Sequence, residues 1–249
     1  MSGTFRAADR VARLGRFFEQ IRPLAKPARA RANAAPNTRR AHCVPTLRSF
    51  FEKVREPLAA ARARGDFIDI WAVAGLNRRE VRNASVLAWL LDPRGSHGQG
   101  SGCLEAFTAQ ISRADPSWRL DPSILRLFRV RTEQRPLGSD RDRVDIAIDG
   151  PGFLIFIEVK IDAGEGLNQL SRYTESAAAK AAASADAQGH KPRTLVAFLS
   201  PMPPSKPVAG LVHLSWSEVA DALVEASAYA EGTARFVVRS FAKHIRSFV

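Results

Sequence analysis

Two short segments carry acids and an amine at spacings that invite chemistry. Arg143-Val-Asp-Ile-Ala-Ile148 and Phe153-Leu-Ile-Phe-Ile-Glu-Val-Lys160 flank Asp149-Gly-Pro-Gly152, a strong turn signal, and read together as a β-hairpin. With Asp149–Gly152 as the loop, Ile148 pairs with Phe153 and Asp145 with Phe156. Alternate residues share a face and paired residues project to the same side, so Asp145, Phe156, Glu158 and Lys160 fall together. Asp145 and Glu158 become diagonal neighbours, roughly 7–8 Å apart at the backbone. Any even-length turn preserves this parity, and an odd one destroys it.

Two carboxylates held that close repel, and partial burial raises the cost. A hard divalent cation such as Mg²⁺ or Mn²⁺ offsets both, because it takes carboxylate oxygens and keeps part of its water. An ion so held polarises a phosphoryl oxygen and acidifies water. Lys160, two residues on and facing the same centre, can orient the attacking water and neutralise charge that develops on phosphorus. The set suits metal-assisted phosphodiester hydrolysis. Glu158-Val-Lys160 is the only [Asp/Glu]-x-Lys triplet in a chain with seven lysines and 30 arginines, and it ends an apolar strand. The plainer alternative is an exposed strand end whose Glu and Lys are solvated or paired with Arg143.

The elements around the hairpin follow from periodicity. Leu47, Phe50, Phe51, Val54 and Leu58 repeat as a helix over Thr46–Arg64, with Pro57 inside and Gly65 stopping it. A second helix runs over Arg79–Leu91, ended by Pro93 and Gly95, and Leu104–Ile111 forms a third. The loop between them, Asp92 to Gly100, is too rich in glycine to be regular. Leu127–Thr132 alternates as a strand does. After the hairpin come a helix from Glu165 to Ala183, strands at Thr194–Ser200 and Val212–Leu214, and helices at Ser217–Ala228 and Arg235–Phe248. Ser217, with Glu218 and Asp221 behind it, reads as a helix start.

Bulk composition bounds the rest. A chain of 249 residues with 45% hydrophobic and 25% charged residues is that of a soluble globular protein. No apolar run approaches the ~18 residues of a membrane span, and no membrane partner is expected. Cys43 and Cys103 stand far apart, which fits neither a disulfide framework nor a zinc cluster and suits a reducing, cytoplasmic setting. The net charge of +12 suggests a polyanionic partner. Most of it sits on residues 1–45, with ten Arg or Lys against Asp9 and Glu19. This arm reads as largely disordered, with a short helix near Val11–Ile21, and 46–249 as the folded domain. A transit peptide, a phosphate-binding tail and sequence ahead of the natural start remain open for it.

These residues resemble the PD-(D/E)XK nuclease superfamily, specifically its subgroup of uncharacterised role. That subgroup has an early segment like Asn77-Arg-Arg-Glu80 through Asp92-Pro-Arg-Gly-Ser-His-Gly98. Following the Glu-Val-Lys strand, it has segments like Ile161-Asp-Ala-Gly-Glu165 and Asn168-Gln-Leu-Ser-Arg-Tyr173. The resemblance covers roughly residues 66–220. It implies an α/β, restriction-endonuclease-like core of helix, three-stranded antiparallel meander, helix and strand, here with added N- and C-terminal helices. It also implies a Mg²⁺- or Mn²⁺-dependent nuclease with Asp145 and Glu158 as metal ligands and Lys160 as catalytic base or stabiliser. Glu80 would be a further ligand or orienting carboxylate. Gln169 and Tyr173, four apart on one helix face, would support the site or touch the nucleic-acid backbone. The proline that names the superfamily is absent, since Val144 precedes Asp145.

The resemblance points to nucleic acid as the partner, DNA first, acted on by a monomer, a homodimer or a complex with a partner subunit. A catalytically silent nucleic-acid-binding module is the alternative, and an interaction protein whose activity needs a partner is the third reading. Glu80 also suits a plain first-turn acid on a helix dipole. Glu133 suits either a helper to the metal site or a charged outer face shared with Arg129 and Arg131. His97 matches the subgroup's Ser-His-Gly element, against the ordinary case of a solvent-exposed loop histidine.

Overall fold

A computed structural model describes residues 44–134, 143–162, 164 and 169–248. The expected basic arm, with its helix near Val11–Ile21, lies outside them. The chain divides into two units, one ending at Phe67 and the other spanning Ile68–Val249. The described part of the first unit is one helix, α1 (Val44–Ala63), which carries Pro57 in its interior.

The second unit runs α2 (Ile70–Val73), α3 (Glu80–Leu91), α4 (Gly102–Ala114), α5 (Pro122–Leu125), β1 (Arg129–Gln134), β2 (Val144–Gly150) and β3 (Phe153–Val159). It continues with α6 (Gln169–Ala183), β4 (Arg193–Leu199), β5 (Leu211–Leu214), α7 (Trp216–Ala226) and α8 (Gly232–Ile245). The five strands form one sheet in sequence order. β1–β2 and β2–β3 pair antiparallel, whereas β3–β4 and β4–β5 pair in parallel. This is a mixed α/β, restriction-endonuclease-like architecture.

β3 is central, and six of its seven residues are buried, as a near-continuous apolar run requires. Its odd-numbered residues, with Ile146 and Ile148 of β2, pack into the larger core under α3, α4, α7 and α8. Its even-numbered residues face α6: Leu154 and Phe156 meet Leu170, Tyr173 and Ala177. Alanines at 177 and 181 on the buried side of α6 let that helix lie close to the sheet. Each fully buried Phe or Leu contributes about 1.5–3 kcal/mol relative to exposure.

The hairpin differs from expectation in length but not in parity. Gly150 pairs with Phe153, so the loop is Pro151-Gly152, with Gly152 at φ 74. A proline followed by a residue at positive φ is the type II turn signature. The register therefore shifts by two residues, and its continuation sets Asp145 opposite Glu158 instead of opposite Phe156. Gly150 cannot carry a side chain, because a Cβ there would stand 2.5 Å from the Phe128 ring.

α7 starts earlier than Ser217. Ser215 is the cap, its hydroxyl accepting from the Glu218 N–H while the Glu218 carboxylate accepts from the Ser215 N–H. α2 and α5 were not expected, being four residues each and too short to show a period.

Candidate active site

The centre forms at the C-terminal end of β3, where the strand leaves the sheet beside the start of β2 and the first turns of α6. Glu158 lies on the α6 face and is only 2% exposed. Its Oε1 accepts from Lys160 Nζ at 2.6 Å and from Gln169 Nε2 at 2.8 Å. Its Oε2 is buried with no hydrogen-bond partner among the described residues. Buried polar atoms are nearly always partnered, so this oxygen marks a place where a ligand atom fits.

Asp145 is fixed from the other strand, Oδ2 accepting from the Val159 N–H at 2.8 Å. Gln169 Nε2 also donates to Tyr173 Oη at 2.9 Å, and the Tyr173 hydroxyl donates to the Arg143 carbonyl at 3.0 Å. Two residues on one face of α6 thus tie Glu158 back to the start of β2. Glu80, in the first turn of α3, reaches the chain just past Lys160: its Oε1 accepts from the Ile161 N–H at 2.8 Å.

The electrostatics follow from this crowding. Burial, then the Asp145 charge, push the Glu158 carboxyl up to about 7, against the opposing pull of Lys160. Asp145 is raised as well, by burial first; the Val159 N–H and Lys160 oppose the rise and Glu80 adds to it. Burial disfavours the Lys160 cation, but Glu158, Glu80 and Asp145 outweigh it and raise its pKa. The Tyr173 hydroxyl, buried and next to Glu158, is pushed to about 12. Two strained carboxylates and one firmly charged ammonium share the site.

That donor set fits a hard divalent cation. Glu158 Oε2 lacks a partner among the described residues, and the Asp145 and Glu158 carboxyls both hold a proton more tightly than usual. No group of three or more His, Cys, Asp or Glu side chains is gathered for a metal among the described residues. A pair of acids is a donor set by which Mg²⁺ can be held when water and phosphate oxygens supply the remaining ligands.

Two other sequence candidates sit differently. His97 is buried, and its ring nitrogens are engaged inside its own loop. Nε2 meets the Asp92 carbonyl at 2.9 Å, and Nδ1 accepts from the Gln99 N–H at 3.1 Å. The ring stands edge-on to Trp89, 5.4 Å between centroids. It organises the glycine-rich loop, contrary to the exposed loop histidine that is the ordinary case. Glu133, at φ 48 near the end of β1, pairs with Arg143 at 3.2 Å, both about half exposed. Two residues at the site gave no sequence signal for a role there. Trp216 Nε1 donates to the Lys160 carbonyl at 2.8 Å, and Arg78 holds the next residues.

The sequence profile of the PD-(D/E)XK nuclease superfamily matches residues 68–243, and the chain belongs to that superfamily. The match begins where the second unit begins and encloses every residue of the centre just described. Nucleases of this superfamily typically use divalent metal ions. Neither a curated protein nor a solved structure gives a match. No helix among the described residues is long and apolar enough to cross a membrane.

Proposed function

We propose that the Ile68–Val249 unit is a divalent-metal-dependent nuclease that hydrolyses phosphodiester bonds, with DNA as substrate and Mg²⁺ or Mn²⁺ as the ion. One observation carries this reading: a buried glutamate oxygen without a partner among the described residues, beside a second acid and a lysine on the same sheet face. Asp145 and Glu158 would hold the ion. When bound, it supplies Lewis acidity at the phosphoryl group.

The chain's own groups do the rest. The Val159 N–H fixes one oxygen of Asp145, and Gln169 fixes one oxygen of Glu158. Lys160, raised in pKa, stays cationic at neutral pH. It would act as a donor to the negative charge growing on the phosphoryl oxygens. Glu158 Oε1, bonded to that ammonium, keeps it aimed along the face.

The test is cleavage of supercoiled plasmid, linear duplex and RNA with Mg²⁺ or Mn²⁺. The reading expects cleavage of DNA that EDTA abolishes, and a loss of about 100-fold or more in Lys160→Ala, Asp145→Asn and Glu158→Gln. Binding of DNA without cleavage under any divalent ion would instead identify a silent nucleic-acid-binding module.

A further inference from the structure

Strand ends usually fray, because the last backbone groups lose their ladder partners. β3 does not end that way. Past Val159, four successive backbone groups are each taken by a different part of the fold. The Lys160 N–H donates to the Leu199 carbonyl at 2.8 Å, and the Lys160 carbonyl accepts from the Trp216 indole at 2.8 Å. The Ile161 N–H donates to Glu80 Oε1 at 2.8 Å, and the Ile161 carbonyl accepts from Arg78 Nη2 at 3.3 Å.

The side chains that provide three of these bonds are themselves braced. Trp216 is fully buried at the start of α7 and meets Phe248 edge-on at 5.1 Å. The Arg78 guanidinium lies over the same Phe248 ring at 5.2 Å and pairs through Nε with Asp162 at 2.7 Å. Arg78 and Glu80 follow Asn77, whose φ of 44 is a left-handed conformation that asparagine tolerates. Buried Asn83 secures that bend by donating to the Asn77 carbonyl at 3.1 Å. The bend thus sets Arg78 and Glu80 to face the chain just past Lys160.

We propose that Trp216, Arg78 and Glu80 are positioning residues for Lys160. They clamp the two peptide groups that follow it, Lys160–Ile161 and Ile161–Asp162, while the β4 backbone holds the one before it, so that its amine stands against Glu158 Oε1. The proposal rests on reading Lys160 as the catalytic lysine. It gives Glu80 a task that needs an acceptor oxygen, not a negative charge.

The discriminating variants are Glu80→Ala against Glu80→Gln, and Trp216→Phe, which keeps an aromatic ring and removes only the donor. In full-length protein with Mn²⁺ and a duplex substrate, Glu80→Ala and Trp216→Phe lower kcat about 10- to 100-fold with KM little changed. Glu80→Gln, whose amide oxygen still accepts the Ile161 N–H, recovers most of what Glu80→Ala loses. A Glu80→Gln variant as inactive as Glu80→Ala overturns the role given to Glu80. A second readout is independent of cleavage: trace acetylation of metal-free protein, followed at Lys160 by peptide mass spectrometry. The amine labels severalfold faster in Glu80→Ala and Trp216→Phe than in wild type or Glu80→Gln; equal rates in all four overturn the proposal. A wild type that does not cleave defeats the nuclease reading, while the labelling rates still decide the positioning role. Should Trp216→Phe fail to fold, the Glu80 pair decides alone.

Discussion

Glu158 keeps its proton to about pH 7, against 4.5 in the unfolded chain, and this ties stability to acidity in a definite direction. Between those values the folded state binds the proton more tightly than the unfolded one. The stability this confers is complete below about 4.5 and is lost as pH rises through 7. Asp145, raised too, has the same sign. Lys160, raised from a higher starting value, gives stability that persists through neutral pH and goes only in strong alkali. In EDTA, the Tm of wild type relative to Glu158→Gln should fall by several degrees between pH 5 and pH 8, since 1 kcal/mol is roughly 2–4 °C in a domain of this size. A flat difference would mean that the carboxyl is ionised in the fold at pH 5. Gln169→Ala, which removes one of the two donors to Glu158 Oε1, should weaken Mn²⁺ affinity about 10- to 100-fold by calorimetry. The sequence announced Asp145, Glu158 and Lys160 because parity along a strand survives a two-residue error in register. It could not announce Trp216 or Arg78, whose bonds reach across 56 and 83 residues and depend on how whole helices dock. The burial of His97 was not legible for a related reason, since a histidine drawn into its own loop looks in sequence like any other loop histidine.

Elements were legible where a period had room to repeat. α3, α6 and the five strands fall within a few residues of their hydrophobic patterns, whereas the four-residue helices α2 and α5 left no trace. The start of α7 shows how local chemistry decides a boundary. Ser217 directly precedes Glu218 and looked like the cap, but a reciprocal box needs the acid three positions after the hydroxyl, with two residues between them, and Ser215 meets that spacing. Because Trp216 is the first helical residue behind that cap, the box also governs the indole that meets Lys160. Ser215→Ala should cost about 1 kcal/mol, read as a lower Tm, and Ser215→Asp should restore most of it. If the alanine variant melts like wild type, the box contributes nothing to holding α7.

Charge separates the two units more sharply than composition suggests. The 67 residues through Phe67 carry 15 basic against five acidic side chains, leaving 22 against 20 for the unit from Ile68 onward. The excess positive charge therefore lies mainly on the first unit, and the unit that holds the acids is nearly neutral. A fragment of residues 68–249 should keep metal-dependent cleavage at saturating DNA but bind more weakly. Its plot of log affinity against log salt should be flatter, since every phosphate left without a cationic partner takes about 0.9 off the slope. An unchanged slope would place the phosphate-binding cations on the second unit. The bond from Trp216 to the Lys160 carbonyl also sets an order of events during synthesis. Trp216 follows Lys160 by 56 residues, about 3–11 s of translation at ~5–20 residues/s. For that interval a nascent chain already displays both acids and the amine without the indole that steadies them.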